Sequence, residues 1–179
     1  MTTNNTTPGS GRMFPQKLTL YHPNGAANGA ALQLEPRLNR HAADRYNCFF
    51  LDMAAQKSAP VRDGATRVPA TFDWEHKLTA KLDFADLCEM LVVLEGRAER
   101  VGGQKGGLFH QTGQGSTVIT LQKSEKGGYY IGLSKKNGDA AAVRVGLVLS
   151  EAEAIGLRSV FQVGLFFLTF HAQLFPTAA

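Results

Sequence analysis

The chain has 179 residues, 44% of them hydrophobic, which suits one domain with a real core. Lys and Arg outnumber Asp and Glu by 19 to 15, a formal net charge of +4 that leans towards a polyanionic partner without requiring one. Cys48 and Cys88 have no CxxC spacing and no adjacent metal-type histidine, which argues against a disulfide scaffold or zinc site and fits a reducing compartment.

The opening "MTTNNTTPGSGR" is polar, nearly uncharged and without the apolar run of a secretory signal, so residues 1–16 are expected to be a disordered tail. From Lys17 the pattern turns β-like: "KLTLYH", the turn-rich "PNGAANG", then "AALQLEP". "YNCFFLDMAAQK" (46–57) is a third strand, and the Pro-bounded "SAPVRDGATRVP" (58–69) reads as a loop. In "TFDWEHKLTAKL" strict alternation predicts one packed face of Phe72, Trp74, His76, Leu78, Ala80 and Leu82, with Asp73, Glu75, Lys77, Thr79 and Lys81 on the wet one. At Asp83 the period changes. Asp83 is a good N-cap, Phe84, Leu87, Met90, Leu91 and Leu94 form a helical stripe, and Gly96 is a plausible stop.

After the glycine-rich "VGGQKGG" come "LFHQT", "STVITLQK", "GYYIGLSKK" and "AAVRVGLVL", with hairpin turns at "SEKGG" and "KKNGD". Ser150 then repeats the role of Asp83 ahead of a second helix, "SEAEAIGLRSVFQVGLFFLTF". The plan is four strands and a helix, twice: an α+β domain over 17–171 with a pseudo-twofold pair of β-β-β-β-α repeats, 17–97 and 105–171, and a tail at 172–179. A faint offset of 67 residues sets Leu82 with Leu149 and Asp83 with Ser150. The second helix is apolar nearly all round, so something must cover both sides: an intramolecular core, or another protomer of a symmetric oligomer. Its longest apolar run, "VFQVGLFFLTF", falls short of the roughly 20 residues of a membrane span, so no membrane partner is expected.

No catalytic constellation emerges. A nucleophile with its base and a pair of carboxylates in an apolar setting are both missing. His22, His41, His76, His110 and His171 lack HxH or HExxH spacing and are expected to be structural, so no metal or other cofactor is implied. "VGGQKGG" and "TGQGST" lack the GK[ST] ending of a phosphate loop. What remains is strands with interleaved rings and cations. In "GGYYIGLSKK" one face carries Tyr130, Gly132, Ser134 and Lys136, the other Tyr129, Ile131, Leu133 and Lys135. Unpaired nucleic acid asks for such a mixture: rings stack on bases at about 1–3 kcal/mol each, and ammonium or guanidinium groups neutralise phosphates. Lys57, Lys77, Lys81, Lys105, Lys123, Lys126, Arg37 and Arg40 extend the basic track. Taken singly, each lysine reads first as a solvated charge and Trp74 as a packing residue, so the inference rests on the collection.

"FDWEHK", "LDFADLCEML", "GGYYIGLSKKN" and "VLSEAEAIGLRSVFQVGL" resemble, in order and spacing over about residues 28–168, the Whirly family of single-stranded-DNA-binding proteins. The more specific parts are Phe72–Glu75 and Gly128–Ile131. The resemblance implies a fold shared with kinetoplastid mitochondrial guide-RNA-binding proteins and with transcriptional coactivators that hold melted DNA. It further implies sheets radiating from a helical core in a homotetramer, with nucleic acid along the sheets. One element departs from the pattern: the family's Lys–Gly–Lys–Ala–Ala–Leu stands here as "ANGAAL" (27–32), without either lysine.

The expected function is non-catalytic binding of single-stranded DNA or RNA with low sequence specificity, by a homotetramer built through the apolar C-terminal helix. Phe50, Trp74 and Tyr130 are the stacking candidates; Lys57, Lys77, Lys81, Lys123, Lys135 and Lys136 are the phosphate contacts. An oligomeric scaffold for protein partners is the alternative, and a small-molecule-binding or enzymatic descendant of the fold the remote one. A bacterial-type cytoplasm or nucleoid, or a genome-containing organelle, is the expected location.

Overall fold

The computed structural model describes residues 17–37, 47–113 and 115–170. The tails expected at 1–16 and 172–179, with Arg40, His41 and His171, lie outside the described residues. The first half contains β1 (Leu18–His22), β2 (Ala30–Arg37), β3 (Cys48–Ser58), a hairpin of β4 (Val61–Asp63) and β5 (Thr66–Val68), β6 (Thr71–Phe72), β7 (Leu78–Leu82) and helix α1 (Phe84–Leu94). A 3-10 turn at Gly103–Lys105 leads to β8 (Leu108–Thr112), β9 (Gly115–Lys123), β10 (Tyr129–Lys136), β11 (Val143–Leu149) and helix α2 (Glu151–Phe170).

Antiparallel pairing orders the first sheet β1-β2-β3-β7, with β6 on the far end of β3, and the second β11-β10-β9-β8. Alternation decides which residues meet inside. Register brings Leu32, Leu34, Leu51, Met53, Leu78, Ala80 and Leu82 to one face of the first sheet, all buried. Ile119, Leu121, Ile131, Leu133, Val145, Leu147 and Leu149 do the same in the second. These faces share one core with α1, which lies against β7 and β9, and with α2, which lies against α1 and β11.

Both helix starts are capped as expected. Asp86 N donates to Asp83 Oδ1 and Asp83 N donates to Asp86 Oδ2, both at 3.0 Å, a complete capping box. Ser150 and Glu153 make the same reciprocal pair on α2. Asp86 and Glu153 are 67 residues apart, the offset of the repeat, and each receives a histidine from the other half: His110 Nε2 lies 2.9 Å from Asp86, and His22 Nε2 lies 2.8 Å from Glu153. The histidines are therefore structural links across the pseudo-twofold plan.

Two local expectations are corrected. "TFDWEHKLTAKL" is not one strand: β6 ends at Phe72, and the chain turns before β7 begins. Asp73 causes the break, accepting from His76 N at 3.3 Å and from the His76 ring at 2.9 Å. Phe72 and Trp74 thus part company with Leu78, Ala80 and Leu82, and His76 is exposed. The loop expected at 58–69 contains the β4–β5 hairpin, whose six strand residues are all exposed.

Helix α2 buries one stripe, Ala154, Leu157, Phe161, Gly164 and Leu168, and exposes another, Ile155, Val163, Phe166 and Phe170. A Cβ on Gly164 would lie 2.7 Å from the Phe49 ring, so glycine is what lets α2 settle on that ring. By length and composition α2 is also apolar enough to cross a membrane, although its inner stripe is part of the core.

Candidate nucleic-acid interface

Each sheet turns a second face away from the core, and rings gather on both. On the first, Tyr21 pairs with Ala31, Ala31 with Ala54, and Phe72 with Gln56. The two alanines leave room above the strands, and Tyr21 fills it with Phe72 at 5.3 Å and Trp74 at 6.4 Å between centroids. Tyr21 remains 54% exposed, so this cluster keeps ring surface open to a ligand.

Along the same face the cations differ in what holds them. Lys77 is tied to the buried carboxylate of Asp52, which also accepts from Thr79 Oγ1. Lys17 Nζ lies 2.9 Å from buried Glu35, and Arg37 Nε lies 2.9 Å from its Oε1 without hydrogen-bond alignment. Arg37 also sits 5.8 Å from the centroid of Phe50, and Phe50 is directly opposite exposed Lys81 on β7. Lys57 is exposed on β3 at the register shift between Gln56 and Ser58, where alternation sets it with Met53 and Ala55 rather than with Asp52 and Ala54. Among the described residues neither Lys57 nor Lys81 has an ion-pair partner.

On the second sheet Tyr130 faces outward across from Val148, beside the directly paired Gly132 and Gly146. Its ring lies on both glycines: a Cβ would come within 3.0 Å of Tyr130 Cζ at Gly132 and within 2.7 Å at Gly146. The same face carries Phe109 (59% exposed), Val148, Gln122, Arg144 and Lys136, while Lys135 and Lys123, the partner of buried Tyr129, belong by register to the opposite face. A groove of about 480 Å³ opens beside Tyr130, lined by Glu99, Arg100, Gln122, Lys123, Lys126 and Val148. Arg100, Lys123, Lys126, Lys135, Lys136 and Arg144 have no ion-pair partner among the described residues.

The candidate residues therefore form two groups rather than one track. Trp74 belongs to the first cluster, with Lys57, Phe50 and Lys81 elsewhere on that sheet, and Tyr130, Lys123, Lys135 and Lys136 belong to the second sheet. Sequence reading passed over Tyr21, Phe109 and Arg144. The signal was there, since Tyr21 alternates with Leu20, Phe109 with Leu108, and Arg144 with Val145.

The missing lysines at 27 and 29 have a structural counterpart. A Cβ on Gly29 would collide with the backbone oxygen of His22 and come within 2.5 Å of Gln56 Oε1, while Gln56 accepts from Gly29 N and Asn24 N at 2.9 Å. The turn is built for glycine at 29, and Gln56 holds it. Asp73, Glu75 and His76 bring ligand atoms within 4.8 Å of one another on the exposed turn after β6, but all three come from one short segment, and His76 already occupies the Asp73 carboxylate. That contact also holds the Asp73 carboxyl below its usual value.

No protein-family model and no curated protein matches the chain. Solved structures do match over nearly its whole length. It is similar to WHY1 from Arabidopsis thaliana, at 20% identity and a TM-score of 0.69, covering 90% of this chain and 89% of that one. It is similar also to the plant transcriptional regulator PBF-2, at 18% identity and a TM-score of 0.65, over 89% and 85% of the two chains. A guide-RNA-binding protein complex bound to a guide RNA matches at 18% identity and a TM-score of 0.57, over 90% and 97%. The chain has the Whirly-like fold.

Proposed function

We propose that the protein binds single-stranded DNA or RNA with little sequence preference, as a homotetramer and without catalysis. The observation that carries this reading is the pairing, on the outer face of each sheet, of rings with open surface and cations that have no ion-pair partner among the described residues: Tyr21, Phe72 and Trp74 with Lys81 on the first sheet, and Tyr130 with Arg100, Arg144 and Lys136 on the second. Stacking on a ring needs an unstacked base, which a single strand offers and a duplex does not. The same fold carries a guide RNA in one of its neighbours, which supports the choice of ligand class.

The apolar stripe of Ile155, Val163, Phe166 and Phe170 supports self-association, because water leaves such a continuous stripe when copies of the helix meet. Fluorescence anisotropy with labelled single-stranded and duplex oligonucleotides across a salt series tests the reading. Preference for single strands with affinity falling as salt rises is expected. Silence at low salt would leave the oligomeric scaffold as the function.

A further inference from the structure

The β4–β5 hairpin has no role in the reading above, and its composition is unfavourable for the fold. Its register sets Arg62 directly opposite Arg67, with Val61 opposite Val68 and Asp63 opposite Thr66. Directly paired residues share a face, so the ribbon presents both guanidinium groups on one side and two valines on the other. Like charges placed opposite each other destabilise a strand pair, and a lone two-stranded ribbon is marginal in water. Neither arginine has an ion-pair partner among the described residues, and Val61 and Val68 are half exposed or more. Nothing among the described residues explains the arginine pair.

Its position does. The ribbon leaves β3 just after Lys57 and returns at Thr71–Phe72, the first ring of the Tyr21–Phe72–Trp74 cluster. Its root is pinned where Ser58 Oγ and Thr71 Oγ1 lie 2.8 Å apart and Thr71 N donates to Ser58 Oγ at 3.2 Å. Pro60 and Pro69 bracket it and restrict the backbone on either side. We propose that this ribbon is a phosphate clamp, Arg62 and Arg67 together gripping the backbone of a single strand as it leaves the aromatic cluster. Guanidinium groups suit the task because they meet phosphate oxygens with two parallel donors and stay charged throughout the accessible pH range. The inference rests on the proposed single-strand binding.

The test compares the full chain with R62A/R67A, R62K/R67K and R97A, using labelled oligo-dT and oligo-U over a salt series. Two lost phosphate contacts should make the slope of log affinity against log salt shallower by about 1.4 in R62A/R67A. R62K/R67K should keep the slope, and R97A, which removes a charge at the far end of α1, should match the parent. Thermal melts of R62A/R67A should stay near the parent's, since all six ribbon strand residues are exposed. If the parent binds and R62A/R67A binds with the same affinity and slope, the clamp alone is overturned; so it is if R97A flattens the slope as much. If the parent does not bind at low salt, clamp and single-strand reading fall together.

Discussion

Tyr130 lays its ring over Gly146, the residue next to its cross-strand partner Val148 on the same outer face, where a Cβ would stand 2.7 Å from Cζ and 2.8 Å from Cε2. The glycine hydrogen is what allows the ring to lie flat, one side on the sheet and the other towards solvent. Y130A is expected to weaken single-strand binding by about 5- to 150-fold, the equivalent of one base stack. G146A should tilt the ring and weaken binding in the same direction. Because both changes act on one ring, Y130A/G146A should bind no worse than Y130A, and anisotropy titrations of the three variants complete the cycle.

Lys77 and Lys57 look alike in sequence and should behave differently. Lys77 neutralises Asp52, which is 3% exposed, so K77A leaves a buried carboxylate with only Thr79 and is expected to lower stability by about 1–3 kcal/mol in urea unfolding. K57A should leave stability within about 0.5 kcal/mol of the parent and flatten the salt dependence of binding.

The exposed stripe of α2 should govern assembly. V163E/F166E places two carboxylates among Ile155 and Phe170 and, if the parent assembles as proposed, is expected to give smaller species in light scattering coupled to size exclusion. A parent protein that is already monomeric at the same concentration would remove the assembly from the proposal.

Gly164 separates core packing from helix propensity. Alanine favours a helix by about 1 kcal/mol over glycine, yet here its methyl group would meet the Phe49 ring and approach Leu87. Phe49 is itself held against Phe161, 6.4 Å away, and cannot withdraw freely. G164A is therefore expected to destabilise by about 1–3 kcal/mol, measured by chemical unfolding.

Glu153 sets part of the acid limit of stability. Burial pushes its carboxyl upward, but hydrogen bonds from Ser150 and His22 outweigh it and hold the folded value below the ordinary 4.5. A depressed carboxyl contributes stability above its unfolded value and loses it as pH falls through the folded one. E153Q should thus be less stable than the parent at neutral pH, and the gap should narrow as pH drops below 4.5, as followed by urea midpoints across that range.

Periodicity, caps and turn residues were enough to place β1 to β3, the four strands of the second half and both helices in order, with the junctions at Asp83 and Ser150 and the 67-residue echo between the halves, because each is set by neighbours within a few positions. Alternation also divided each strand into two faces. Only the tertiary structure decided what those faces meet: Tyr21 joins Phe72 across about 50 residues of chain, Asp52 claims Lys77, and His22 reaches Glu153. It also decided that Asp73 turns the chain where unbroken alternation had suggested a continuous strand. Those outcomes depend on register and on which side chains cover a face, quantities fixed by contacts between distant segments rather than by the local pattern of any one of them.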